Sequence, residues 1–231
     1  STHAAKGDHA SMSRTISDSL RHLAFIMVPA ALGLLVLAPN ILSAIFEWNG
    51  QFNAESTLLS ARALMFYAPG LVVFSAAKVF VPAFYAMQDT KTPVRIGIYT
   101  VALNLTLNIV LILTLPEYWK HAGMAFSTVL AEAAGMAVLG TLLAKRTPSI
   151  QWGGILKSFT RYLACGLIMA AAAWLVARYS FAPLNDLLPA KIASITSVLL
   201  AVGAGGSTYF VLALGLKAPE LKEITNALRG K

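Results

Sequence analysis

Four polar side chains stand in stretches that are otherwise apolar, and they are the residues with chemistry to offer. Lys78 lies in Leu71-Val-Val-Phe-Ser-Ala-Ala-Lys-Val-Phe-Val81, about eight residues before the next polar turn, or ~12 Å of helix at 1.5 Å per residue. A cation at such depth either binds something or snorkels toward the headgroups. Glu132 sits among Ala131, Ala133, Ala134 and Gly135. A carboxyl there carries a proton, as a proton-coupling group would, or pairs with a cation such as Lys78. Asn104 and Asn108 are four residues apart, hence on one helical face. Two amide oxygens facing one way suit a hard cation, which prefers oxygen ligands. They equally suit hydrogen bonding between membrane helices. No GxSxG, HExxH, P-loop or CxxC pattern occurs, and His3, His9, His22 and His121 fall in loops or at helix ends. The chain is therefore not expected to be an enzyme or to hydrolyse nucleotide. Any work must draw on an ion gradient, the membrane potential or a partner.

The elements that must position these residues are membrane helices. Of 231 residues, 57% are hydrophobic and only 12% charged, against about 25% in soluble domains. The net charge of +8 does not argue for nucleic acid, because Lys and Arg punctuate the ends of apolar runs instead of forming one patch. Six apolar segments are predicted to be helices: residues 23–46, 61–87, 94–115, 123–143, 159–176 and 192–216. Each is near the ~20 residues that cross a ~30 Å hydrocarbon core. The fold class is all-α, polytopic, with six transmembrane helices. Pro29, Pro39, Pro69 and Pro82 interrupt the first two segments, as hinges or as static bends.

Residues 1–22 read as a cytoplasmic interfacial segment, with Asp8 as a cap and a stripe of Met12, Ile16 and Leu20. Residues 23–144 hold four spans, 145–158 a cytoplasmic loop, 159–216 two further spans, and 217–231 a cytoplasmic tail whose apolar side is Leu221, Ile224 and Leu228. Lys6, Arg14, Arg21, Lys91, Arg95, Lys145, Arg146, Lys157, Arg161, Lys217, Lys222, Arg229 and Lys231 mark one side, which is cytoplasmic by the positive-inside rule. The other side has only Arg62, Lys120, Arg178 and Lys191. Trp48, Tyr118, Trp119 and Tyr179 supply its aromatic belt. Cys165, the single cysteine, reads as a buried inert thiol. Small residues are dense in 131–135, 170–173 and 201–206, which permits close helix contact. The polar opening without Met reads as the middle of a longer protein.

The turn between the second and third segments is Phe84-Tyr-Ala-Met-Gln-Asp-Thr-Lys-Thr-Pro93. It resembles the FYA-x-x-D-x-x-TP signature of the MviN/MurJ lipid II flippases, within the multidrug/oligosaccharidyl-lipid/polysaccharide exporter superfamily. Phe84, Tyr85, Asp89, Thr92 and Pro93 carry the likeness. KGDHASMSR before the first span, FEWNGQF after it and HAGMAFST in the fourth segment agree in order and spacing, although FEWNGQF has one more residue than usual around Trp48-Asn49-Gly50. The resemblance implies the C-terminal half of such a flippase, about helices 9–14 of fourteen, in the bacterial inner membrane. It implies the flipping of undecaprenyl-diphosphate-linked peptidoglycan precursor (lipid II) for cell-wall biogenesis. Another transporter of the superfamily and a non-transporting membrane scaffold are the alternatives. The implied partners are lipid II, membrane lipids, the N-terminal half with its diphosphate-gripping arginines, and the cell-wall synthesis machinery, with no nucleic acid. No cofactor is implied except a sodium ion, which some members hold between the third and fourth helices of this stretch. The pattern maps to Asn104 and Asn108, with a Thr128 hydroxyl and a Met124 backbone carbonyl. Asn108 is a carboxylate in the sodium-binding pattern, and a second carboxylate belongs to the missing part. The last two helices would line a groove for a lipid tail.

Overall fold

The computed structural model describes residues 9–47 and 54–216, together with Ala218 and Glu220. Among the described residues seven α-helices follow one another: α1 His9–Phe46, α2 Ala54–Tyr67, α3 Gly70–Ala86, α4 Lys91–Thr114, α5 Glu117–Arg146, α6 Trp152–Leu187 and α7 Ala190–Gly215. Among the described residues, six helical stretches are long and apolar enough to cross a membrane, with α2 and α3 together forming the second, Glu55–Ala86. The all-helical fold expected from the apolar segments is the one observed. Lys6, Asp8, the loop around Trp48, Lys217 and the tail with Leu221, Ile224 and Leu228 lie outside the described residues.

The second segment, expected as one helix over 61–87, is broken at Ala68-Pro69. Pro69 has no N–H to continue the ladder. The chain turns the corner with the tighter bonds Leu71 N–H to Ala68 O (3.1 Å) and Val72 N–H to Pro69 O (3.3 Å). Pro29, Pro39 and Pro82 stay inside their helices.

The interfacial segment expected over residues 1–22 is described from His9 only. From His9 onward it is continuous with the first span in a helix of 38 residues, ~57 Å at 1.5 Å per residue. Met12, Ile16 and Leu20 are buried against Phe80, Phe84, Leu139, Leu143 and Ile150. Burial of apolar area drives helix and partner together, so this stripe is covered by protein.

α4 packs on α5, α5 on α2 and α3, these on α1, and α1 on the α6–α7 pair. Small residues set the closest approaches. A Cβ added at Gly205 of α7 would lie 3.1 Å from the Ala173 Cβ of α6, and Ser180 and Ser197 share a 2.7 Å hydrogen bond across the same pair. Phe25, Tyr162, Cys165, Met169 and Tyr209 fill the core between α1, α6 and α7. The Tyr162 ring meets Phe25 edge-on at 5.3 Å, and the Tyr209 hydroxyl donates to the Phe25 carbonyl at 2.8 Å. Such partners are what a buried phenol requires. Cys165 is free and buried in this core.

Long-range contacts sort the connections into two ends. At one, Arg21 donates to Gln151 (3.2 Å), Arg146 pairs with Asp89, and the Tyr162 hydroxyl donates to the buried Glu220. At the other, Thr57 donates to Glu47 (2.5 Å) and Arg62 stacks on Tyr118 at 3.8 Å and Trp119 at 4.7 Å. The first is called the basic end below.

Candidate functional site

The polar residues of α4 and α5 meet along one seam. Glycine makes it close: a Cβ on Gly123 would lie 2.5 Å from Leu115 Cδ1, and one on Gly135 would collide with the Thr100 hydroxyl. Asn104 donates to the Thr128 hydroxyl at 3.2 Å, and Asn108 donates to the Asn104 carbonyl oxygen at 3.1 Å. Ser127 reaches the Asn108 carbonyl oxygen at 2.6 Å and the Met124 backbone carbonyl at 2.9 Å. Thr128 donates to the same Met124 carbonyl at 2.9 Å. The structure thus brings together Asn104, Asn108, Thr128 and the Met124 carbonyl.

Ser127 is the member that sequence reading did not single out. It is fully buried, one residue before Thr128 and three after Met124, and its position on the Asn108 side follows only from how the two helices face each other. Chemically the cluster is a set of neutral oxygens, of a type a hard cation accepts. As it stands, both amide oxygens already receive donors, so the same cluster also clasps α4 to α5. Among the described residues no group of three His, Cys, Asp or Glu side chains is placed to hold a metal. A cation here would rest on amide, hydroxyl and carbonyl oxygens alone.

The intramembrane charges stand apart from one another. Lys78 is exposed on α3 and Glu132 half-buried on α5. The two form no ion pair; the side-chain pairs that do form among described residues include Arg21–Asp18, Lys120–Glu117 and Arg146–Asp89.

The signature turn is built by hydrogen bonds. Gln88 takes a left-handed φ of 60°. Its N–H reaches the Tyr85 carbonyl at 3.0 Å, and the Asp89 N–H reaches the Phe84 carbonyl at 3.0 Å. This pair of bonds is a Schellman stop, here with Gln where Gly is commoner. Asp89 then starts α4: one carboxylate oxygen accepts the Thr92 N–H at 2.9 Å and the other the Thr92 hydroxyl at 2.6 Å, the geometry of an N-cap. Arg146, at the end of α5, pairs with Asp89 and lies 5.2 Å over the ring of the fully buried Phe84. Pro93 is buried in the first turn of α4, and Tyr85 is exposed. The Thr92 hydroxyl, the Thr92 N–H and then Arg146 hold the Asp89 carboxyl well below the usual carboxylate range.

Two apolar grooves complete the picture. One of about 380 Å³ lies among α1, α6 and α7, with Gly33, Leu37, Met169, Ala173 and Gly205 on its walls. A second, of about 550 Å³, lies between α3 and α5 and ends at Trp152.

The sequence profile of the family described as "Lipid II flippase MurJ" matches residues 1–215. The probable lipid II flippase MurJ of Rhizobium meliloti (strain 1021) is 30% identical over 214 residues, covering 91% of this chain and 38% of that protein. That of Bdellovibrio bacteriovorus (strain ATCC 15356 / DSM 50701 / NCIMB 9529 / HD100) is 27% identical over 228 residues, 96% of this chain and 40% of that protein. A solved structure of a lipid II flippase MurJ in an inward closed conformation superposes with a TM-score of 0.67 at 21% identity, covering 91% of this chain and 41% of that one, and shares the fold. The chain spans about two-fifths of the length of these relatives. With the profile matched over nearly all of its described length, this multi-pass membrane chain belongs to the lipid II flippase MurJ family.

Proposed function

We propose that the chain is the C-terminal part of a flippase that moves lipid II, the undecaprenyl-diphosphate-linked peptidoglycan precursor, across the bacterial inner membrane for cell-wall biogenesis. The observation that carries this reading is the family match over residues 1–215, joined to a fold of six crossings. The basic end is cytoplasmic, from the positive-inside rule. Lys78 and Glu132 face a wet cavity completed by N-terminal helices, because a charge at the bilayer centre costs at least ~2.5–3.5 kcal/mol against lipid. Asn104, Asn108, Thr128 and the Met124 carbonyl form a weak sodium site that an N-terminal carboxylate would complete; their convergence supports it. The groove among α1, α6 and α7 takes the substrate's apolar tail, which its lining of apolar and small residues suits. Cell-wall synthesis enzymes would receive the flipped product.

Depletion of the full-length protein in cells, followed by an assay of lipid II exposed on the outer leaflet, tests the reading. Exposure should fall while lipid II accumulates inside. Unchanged exposure in depleted cells refutes the flippase role and favours another superfamily transporter or a scaffold.

A further inference from the structure

The groove among α1, α6 and α7 stops short of the basic end, and it stops at one level on all three helices. Its walls reach Pro29 on α1, Met169 on α6 and Tyr209 on α7. About one turn nearer the basic end, four residues along each helix, stand Phe25, Cys165 and Ala213. These three belong to one buried cluster. The space between the helices is therefore open on one side of that level and filled on the other. Along α1 the open part runs from Pro29 to Ile41, ~18 Å at 1.5 Å per residue. Its wall is low at Gly206, where an added Cβ would meet nothing within 4 Å, and beside it Val202 is exposed.

Tyr209 makes the closure. It belongs to the groove wall and to the cluster at once. Its hydroxyl donates to the Phe25 carbonyl at 2.8 Å, which ties the ring from α7 across to α1. A buried phenol that gave up this bond would leave its hydroxyl unsatisfied, so the ring is held in place. The Phe25 ring stands 5.4 Å behind it, and Tyr162 meets Phe25 edge-on at 5.3 Å. The Tyr162 hydroxyl in turn donates to Glu220, and Ala218 is buried in the same cluster, so the residues after α7 complete the backing. Met169, the neighbouring wall residue, is unbranched and adapts to what it touches. A chain tip that meets Met169 moves it. One that meets Tyr209 has to break a hydrogen bond and displace two rings.

We propose that Tyr209 is the depth stop of this groove: it fixes how far a linear apolar chain reaches toward the basic end, and so the length of chain that the groove holds. This rests on the reading that the groove takes the substrate's apolar tail, and adds which residue ends the site. The chain lies tip-first against Tyr209, with its head directed away from the basic end. A chain longer than the groove leaves over the low wall at Val202 and Gly206 instead of threading on between the helices. Phe25, Tyr162 and Glu220 are positioning residues that act through Tyr209.

The test is photo-crosslinking of the purified full-length protein with prenyl phosphates of increasing length that carry a diazirine at the chain tip, the adducts being mapped by peptide mass spectrometry. In the wild type the deepest marks should fall on Met169 and Tyr209 whatever the chain length, with Phe25, Tyr162 and Ala213 unmarked. Tyr209→Ala should carry the marks of the longer chains on to Phe25 and Ala213, a shift of about one turn, ~5.4 Å. Gly206→Leu fills a wall position that has room for a side chain. It should move the limit three residues the other way, ~4.5 Å, and strip the marks from Met169 and Tyr209. That variant decides the matter if Tyr209→Ala does not fold. Marks on Phe25 or Ala213 in the wild type overturn the stop and leave the groove reading standing, as does an unshifted pattern in Gly206→Leu or in a folded Tyr209→Ala. Marks nowhere in the groove overturn both.

Discussion

Asp89 stands in the turn between the stop of α3 and the first turn of α4, and its two oxygens serve both the new helix and the far end of α5. A carboxyl that accepts three donors favours its charged form, which is why it lies below the usual range, with the Thr92 hydroxyl as the largest cause. A lowered folded value stabilises the protein above the unfolded carboxyl value of ~3.9, and that contribution disappears as pH falls from there through the folded value. Asp89→Asn should therefore lower the melting temperature of the purified protein at pH 7, and the gap from wild type should shrink below about pH 4. A gap that stays constant down to pH 3 would show that the charge at this position contributes nothing. Asp89, Thr92 and Pro93 are legible as a motif because capping is local. Arg146 was not, since it arrives from 57 residues away and only the packing of α5 beside the turn delivers it.

The α4–α5 seam shows what a helix pair needs beyond apolar faces. α4 touches little besides α5, so its position depends on the glycines that let it approach and on the Asn–Ser–Thr network. Interhelical hydrogen bonds in membranes average ~0.6 kcal/mol. Ser127→Ala should thus cost on the order of 1 kcal/mol or less, with Asn108 losing one donor. Gly135→Leu should cost more, because the added side chain has to displace Thr100. Asn108→Asp separates the two uses of the cluster. In the full-length protein it should increase stabilisation by sodium, read as the melting-temperature difference between sodium and potassium buffers, whereas Asn108→Leu should abolish any such difference. If neither variant alters the response to sodium, the asparagines serve packing alone. The one-face spacing of Asn104 and Asn108 was readable from period alone. Helix ends were less so: α5 and α6 extend beyond their apolar stretches, to Glu117–Arg146 and Trp152–Leu187, because polar first and last turns continue a helix without any apolar signal. The break at Pro69 was signalled by the proline, but Pro29, Pro39 and Pro82 gave the same signal and stay within unbroken helices. Neighbouring helices and local adjustment can satisfy the carbonyls that a proline frees.

At the scale of the whole molecule, the exposed Lys78 and the two-ended arrangement raise separate questions about water and sidedness. Lys78→Cys, in a Cys165→Ser background, should react with a membrane-impermeant maleimide in the full-length protein if the position faces a wet cavity, and should stay unlabelled if it faces lipid. Six crossings return the chain to the end where it started, and the contacts agree: α1's start, the α3–α4 turn and the α5–α6 connection meet through Arg21, Asp89 and Arg146, while α1's end and α2's start meet through Glu47 and Thr57. Charge then orients the set. The first end carries Arg14, Arg21, Lys91, Arg95, Lys145, Arg146, Lys157 and Arg161. The second carries Arg62, Lys120, Arg178 and Lys191, and there Arg62 is stacked on aromatic rings and Lys120 paired with Glu117. Lys and Arg resist translocation, so the first end should remain in the cytoplasm. Reporter fusions in the full-length protein should therefore be active on opposite sides: a phosphatase after Asn53 active outside the cell's membrane, and a fluorescent protein after Ser149 active inside. Both reporters on one side would mean that a helix counted here as spanning does not cross, and α4, the helix with the fewest protein neighbours, would be the first to re-examine.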